Sequence, residues 1–106
     1  MFMQTYIIHV SDAYERERLI NGELEGRNLN TEFVNDGDIK DLTEEVLAKY
    51  FKGDVSMPNN SCSYKHMLSY QRMLDNNIEL AFIVEDDTYL YANLDNIFEK
   101  LLYEFR

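Results

Sequence analysis

Apolar positions fall into short runs alternating with helical stripes. Tyr6-Ile7-Ile8-His9-Val10 is β-branched and aromatic, which predicts a buried strand near the amino terminus. Ser11 and Asp12 are N-cap types, and residues 13–24 are charged with few apolar positions. They predict a solvent-facing helix resting on Leu19, Ile20 and Tyr14, weakened in its second half by Gly22 and Gly26. Glu32-Phe33-Val34 predicts a short second strand, ended by the turn-type run Asn35-Asp36-Gly37-Asp38. Thr43 as a cap, with Val46, Leu47, Tyr50 and Phe51 at helical spacing, predicts a helix stopped by Gly53. Residues 54–60 hold the sole proline, Pro58, and predict a loop.

Ser61 is a cap type, and Tyr64, Met67, Leu68, Gln71 and Leu74 share one face of the next predicted helix, which Asp75-Asn76-Asn77 ends. Leu80-Ala81-Phe82-Ile83-Val84 is apolar throughout, the pattern of a strand covered on both faces. It predicts a central strand parallel to residues 6–10, with Glu85-Asp86-Asp87 at its carboxyl end. Asn93 caps a last helix with the apolar stripe Leu94, Ile97, Phe98, Leu101, Leu102 and Phe105. The order β-α-β-α-α-β-α makes this an α/β domain over residues 1–106, its mainly parallel sheet flanked by helices. Three strands give a thin sheet, and the last helix has little of it to cover. The chain reads as half of a larger domain, and it is expected to form a homo-oligomer through this helix or a sheet edge.

Composition narrows the partners. At 106 residues the chain is a single domain, and 20 acidic against 10 basic residues give a formal charge of −10. That balance argues against nucleic acid, whose phosphates need clustered Lys and Arg, and against an anionic membrane surface. No apolar run approaches the ~18 residues that span a bilayer, and the first residues lack the features of a signal peptide. A cytoplasmic protein is expected. One cysteine, Cys62, excludes a disulfide framework and, by count, a cysteine-based zinc site.

The sharpest chemistry is Glu85-Asp86-Asp87. Adjacent carboxylates repel unless a cation or turn amides compensate them, and hard divalent ions take such oxygens together with substrate phosphates. The other reading is a solvated acidic turn in a chain acidic throughout. Cys62 and His66 lie one helical turn apart. Spacing alone makes them a small buried thiol and a hydrogen-bonded structural histidine, in preference to a metal site or a nucleophile with its base. Arg16 and Arg18 are surface ion-pair candidates placed within reach of a phosphate after the first strand.

In combination these segments resemble glycosyltransferase family 25, which includes bacterial lipooligosaccharide galactosyltransferases and animal collagen galactosyltransferases. Family members open with a strand of the type Tyr-Val-Ile-Asn-Leu and a polar segment with arginines, similar to residues 6–10 and Tyr14-Glu15-Arg16-Glu17-Arg18. A family phrase Phe-X-X-Ala-X-Asp-Gly is similar to Phe33-Val34-Asn35-Asp36-Gly37-Asp38. The family's Gly-Cys-X-X-Ser-His segment, helix, apolar strand and Glu-Asp-Asp resemble Cys62-Ser63-Tyr64-Lys65-His66 through Phe82-Ile83-Val84-Glu85-Asp86-Asp87. Asn59-Asn60 stands where the family has Gly-Glu, and Lys65 where it has serine.

The resemblance implies a partial GT-A-type, Rossmann-like fold that transfers a sugar from a nucleotide-diphosphate donor to a bacterial surface glycan. It implies Mn²⁺ or Mg²⁺ on Asp87, helped by Glu85 and Asp86. It further implies Arg18 on a phosphate, Asp36 and Asp38 on ribose or base, and His66 supporting the acidic loop. No catalytic base is assigned. Two other classes remain: a non-catalytic remnant acting as an interaction module, and a receiver-like phosphoryl-transfer domain, which lacks a lysine partner and fits the acidic loop poorly.

Overall fold

The computed structural model describes residues 2–51 and 57–105. Strands β1 (Met3–Ile8), β2 (Leu29–Val34) and β3 (Ala81–Glu85) form one parallel sheet in the order β2-β1-β3. Helix α1 (Tyr14–Leu24) links β1 to β2; a 3₁₀ turn (Ile39–Asp41), α2 (Glu44–Tyr50) and α3 (Met57–Asp75) precede β3, and α4 (Leu94–Phe105) follows it. The α/β class and the parallel sheet flanked by helices are as the alternation of patterns predicts. Gly53 and residues 54–56 of the expected loop lie outside the described residues, whereas residues 57–60 already belong to α3.

The period-2 alternation of a strand sorts β1 onto two cores. Tyr6 and Ile8 face one side with Val34, under Cys62, Leu68 and Met73 of α3. Ile7 faces the other with Ile20 of α1 and Val84, flanked by Leu24, Phe33 and Phe82. Phe82 also meets Phe98 of α4, ring centroids 4.8 Å apart. Layers on both faces bury every β1 residue except Gln4, which is half-buried.

One expectation is corrected here. The run before Glu85 does not form the central strand: β1 lies in the middle, and β3 is an edge among the described residues. Ala81, Phe82 and Ile83 are half-buried and Val84 is buried. The physical reason is that an unbroken apolar run reports cover on both faces of a sheet, not a neighbour on both edges. Here α3 covers one face and Phe98 of α4 meets the other, so the run is apolar although the edge is open.

Helix α3 departs from its pattern as well. Ser61 is no cap: it lies inside the helix, and its hydroxyl donates to the Gly37 carbonyl at 2.7 Å. The line turned inward is Ser61, Lys65 and Ser69, all buried, while Leu74 is 73% exposed. Small serines bring the helix close to the sheet and let Lys65 reach backbone carbonyls there. On α1 only Ile20 is buried, with Tyr14 and Leu19 exposed. Thr43 caps α2 as expected, accepting from Val46 N. On α4 only Phe98 is buried, and Ile97, Leu101 and Phe105 stay exposed.

Gly37 has a φ of +84°, and a Cβ there would lie 2.9 Å from Leu68 Cδ1 and 3.1 Å from Tyr64 Cδ2. Gly26 has a similar φ of +75° but open space around it. Gly26→Ala should cost about 1–2 kcal/mol from the left-handed backbone alone, and Gly37→Ala about 1–3 kcal/mol more from overpacking. Chemical denaturation of both variants checks this; equal costs would contradict the packing of α3 on this turn.

Candidate functional site

Because all three strands are parallel, their carboxyl ends share one edge, where open α/β sheets carry their ligand crevices. A cleft of about 500 Å³ opens there, lined by residues 8–12, Arg16, residues 38–40, Ser61, Cys62, Lys65 and residues 85–87. The first turn of α1 borders it at Arg16, and Asp12 of the preceding loop lines it too.

Lys65 builds its back wall. The ammonium is buried, and its three protons meet the carbonyls of Val34, Asn35 and Asp36 at 3.2, 3.2 and 3.0 Å. Asp38 Oδ1 lies 2.8 Å from the same nitrogen, an ionic contact beyond those three donors. The other carboxylate oxygen of Asp38 accepts from the backbone N–H and hydroxyl of Ser11. Burial pushes the Asp38 carboxyl up, but Lys65 and Ser11 outweigh it, and the group is held below its usual value. Asp38 thus borders the cleft with both oxygens already engaged.

Asp86 is likewise committed. It is buried; Oδ2 takes the Nδ1–H of His9 at 2.8 Å, since an ionised carboxylate can only accept. Oδ1 takes Arg16 at 3.4 Å. The Nε2 of His9 lies 3.9 Å from Glu17 Oε2. Glu85 and Asp87 remain exposed, so the acidic triplet does not converge on one point. Glu85 instead accepts from the thiol of Cys62 at 3.0 Å. Burial first, then Glu85, pushes that thiol up to about 11.

Of the other residues the sequence singles out, Arg18 pairs with Glu15 on the exposed face of α1 and does not line the cleft. Arg16, one half-turn earlier, does. Asp36 pairs with Arg72 at 2.6 Å, outside the cleft lining. His66 stands beside Cys62 and Glu85, their ligand atoms within 4.8 Å of one another. Sequence reasoning missed Lys65, His9 and Ser11. The available signals were a histidine inside an apolar strand and a Ser61-Lys65-Ser69 line at helical spacing.

What the cleft can do follows from its charges. Among the described residues, Asp12 and Asp87 have no ion-pair partner and Glu85 meets only the Cys62 thiol, while Arg16, shared with Asp86, and Lys40 supply positive charge. An anion could enter by Arg16 and the α1 terminus, where helix N–H groups favour negative charge. An anionic ligand of high charge needs a cation as well. For Mn²⁺ or Mg²⁺, which bind through one or two carboxylates plus substrate phosphates, Asp87 fits; Asp86 does not, being held by His9 and Arg16.

Loss of the Lys65 ammonium would leave Asp38 buried and unpaired. Lys65→Met should destabilise by about 3–5 kcal/mol, read as a lowered urea midpoint. Because Asp38 titrates lower folded than unfolded, its contribution is present above its ordinary value of 3.8 and is lost as pH falls through the lowered one. Asp38→Asn should flatten that acid limb of the stability profile; an unchanged limb and midpoint would contradict the Lys65–Asp38 pair.

The family described as Glycosyltransferase family 25 (LPS biosynthesis protein) matches residues 2–106. The lipooligosaccharide biosynthesis protein lic2B of Haemophilus influenzae is 23% identical over 94 residues, covering 85% of this chain and 35% of that protein. The chain therefore spans about a third of the length of that relative.

Proposed function

The chain belongs to glycosyltransferase family 25, and on that premise we propose that its cleft binds the nucleotide-diphosphate sugar donor of a transfer to a bacterial lipooligosaccharide or other surface glycan. The observation that carries this reading is the crevice at the carboxyl ends of three parallel strands, bordered by Arg16 and the start of α1. The diphosphate lies toward Arg16 and the helix terminus, whose N–H groups offset its charge. Arg16 takes the role that the resemblance gives to Arg18.

Asp87 would hold Mn²⁺ or Mg²⁺, and such an ion would supply charge neutralisation for a departing nucleoside diphosphate. His9 and Arg16 hold Asp86 in place, which fixes the turn that presents Asp87. Lys65 and Ser11 hold Asp38, which shapes the wall opposite. These groups position and bind. A nucleotide-sugar donor puts the protein in the cytoplasm, where such donors are made; among the described residues no helix is long and apolar enough to cross a membrane.

The exposed Ile97, Leu101 and Phe105 of α4 support self-association, since leaving them partly in water forgoes a share of the about 1.5–3 kcal/mol that full burial of each contributes. Sedimentation should show a species heavier than the 12.6 kDa chain; a monomer at micromolar concentration would contradict this.

The donor reading is tested by calorimetry with uridine- and cytidine-diphosphate sugars. Binding should require Mn²⁺ or Mg²⁺, disappear in Asp87→Ala, weaken in Arg16→Met and persist in Glu99→Ala, a control on exposed α4. Binding indifferent to both EDTA and Asp87→Ala would overturn the cation role. No binding with any donor would favour the non-catalytic interaction module, the reading supported by Asp38 and Asp86 having internal partners.

A further inference from the structure

We propose that Cys62, His66 and Glu85 form a zinc-binding site, separate from the carboxylate Asp87 assigned to the donor's cation. Among the described residues, this is the group of His, Cys, Asp and Glu whose ligand atoms all lie within 4.8 Å of one another. Two elements build it. The four-residue spacing on α3 puts Cys62 and His66 on one helical face, and β3 ends at Glu85 beside them. Its register is held by β1, where Glu85 pairs with Ile8.

The distances suit a single ion. Ligands at about 2.0–2.3 Å in a tetrahedral shell lie roughly 3.3–3.7 Å apart. Cys62 Sγ and Glu85 Oε1 are 3.0 Å apart and no pair of the three ligand atoms exceeds 4.8 Å, so a shared ion needs each pair to shift by about 1 Å or less. The donor set selects the metal. A thiolate and an imidazole favour zinc over manganese or magnesium, which prefer all-oxygen shells.

Charge closes as well. Without metal the thiol keeps its proton and donates it to Glu85. Zinc binding forms the Zn–S, Zn–N and Zn–O bonds and releases that one proton to solvent. The thiolate and carboxylate then cancel the ion's two positive charges. Three protein ligands leave a fourth position for water or an anionic oxygen. Cys62 and Glu85 both line the cleft, which puts the site at its border. A count of one thiol excludes a centre built from cysteines; it cannot register a carboxylate brought in from another element.

The test uses metal alone, so it stands whether or not a sugar nucleotide binds. Zinc affinity and stoichiometry are measured by competition with a chromophoric chelator, and Co²⁺ is used as a spectroscopic substitute. One zinc per chain should bind, undisplaced by an equal concentration of Mn²⁺, and the cobalt form should show a sulfur-to-cobalt charge-transfer band. Cys62→Ser and His66→Ala should each weaken zinc by more than about 100-fold, beyond the usual cost of losing an outer-shell partner. The cobalt spectrum of the unsubstituted protein needs no variant to fold. Absence of the thiolate band, or zinc binding as tight in Cys62→Ser as in the parent, would overturn the site.

Discussion

The ammonium of Lys65 is the contact on which the functional end of the molecule depends. A buried charge is tolerated only with close partners, and here those partners are drawn from separate parts of the chain. Carbonyls of Val34, Asn35 and Asp36 close the end of β2, and Asp38 brings Ser11 from the segment after β1. One side chain of α3 therefore joins two crossover loops. Remove it, and the loops that line the cleft lose their common anchor. The neighbouring serines complete the arrangement: Ser61 ties the same helix to Gly37, and Ser69 satisfies itself on the Lys65 carbonyl.

A second anchor mirrors the first on the other side of β1. His9 follows the central strand and grips Asp86, which Arg16 holds from α1. Together the two clusters explain why an acidic chain places several carboxylates in one cleft without dispersing them. Asp38 and Asp86 are neutralised from within, Glu85 takes the Cys62 thiol, and Asp87 stays exposed. The acidic triplet thus divides into three roles: one carboxylate toward the cleft, one inside the fold, and one turned to Cys62.

Much of this was legible in the sequence. The alternation of strand and helix patterns implied the α/β class and the parallel sheet, and Thr43 marked its helix start. The apolar run at residues 80–84 marked a strand, though its rank in the sheet was not readable, because face cover and edge pairing leave the same pattern. The inward face of α3 was misread for a related reason. Hydrophobic periodicity cannot show a helix that packs through Ser61, Lys65 and Ser69, where the gain is hydrogen bonding and close approach. Position put both Arg16 and Arg18 within reach of a phosphate and the resemblance pointed to Arg18; the turn of α1 brings Arg16 to the cleft and pairs Arg18 with Glu15 outside it. The pairing of His66 and Cys62 with Glu85 required the third dimension entirely.

The central claim is that the donor occupies the cleft at the carboxyl end of the sheet. Amide NMR spectra of the isotopically labelled protein, titrated with a uridine- or cytidine-diphosphate sugar and magnesium, test it residue by residue. The account predicts shifts concentrated at residues 9–12, Arg16, residues 38–40 and residues 85–87. Shifts gathered instead around the hollow lined by Gly22, Arg27, Leu90 and Asp95, with the cleft unchanged, would contradict it.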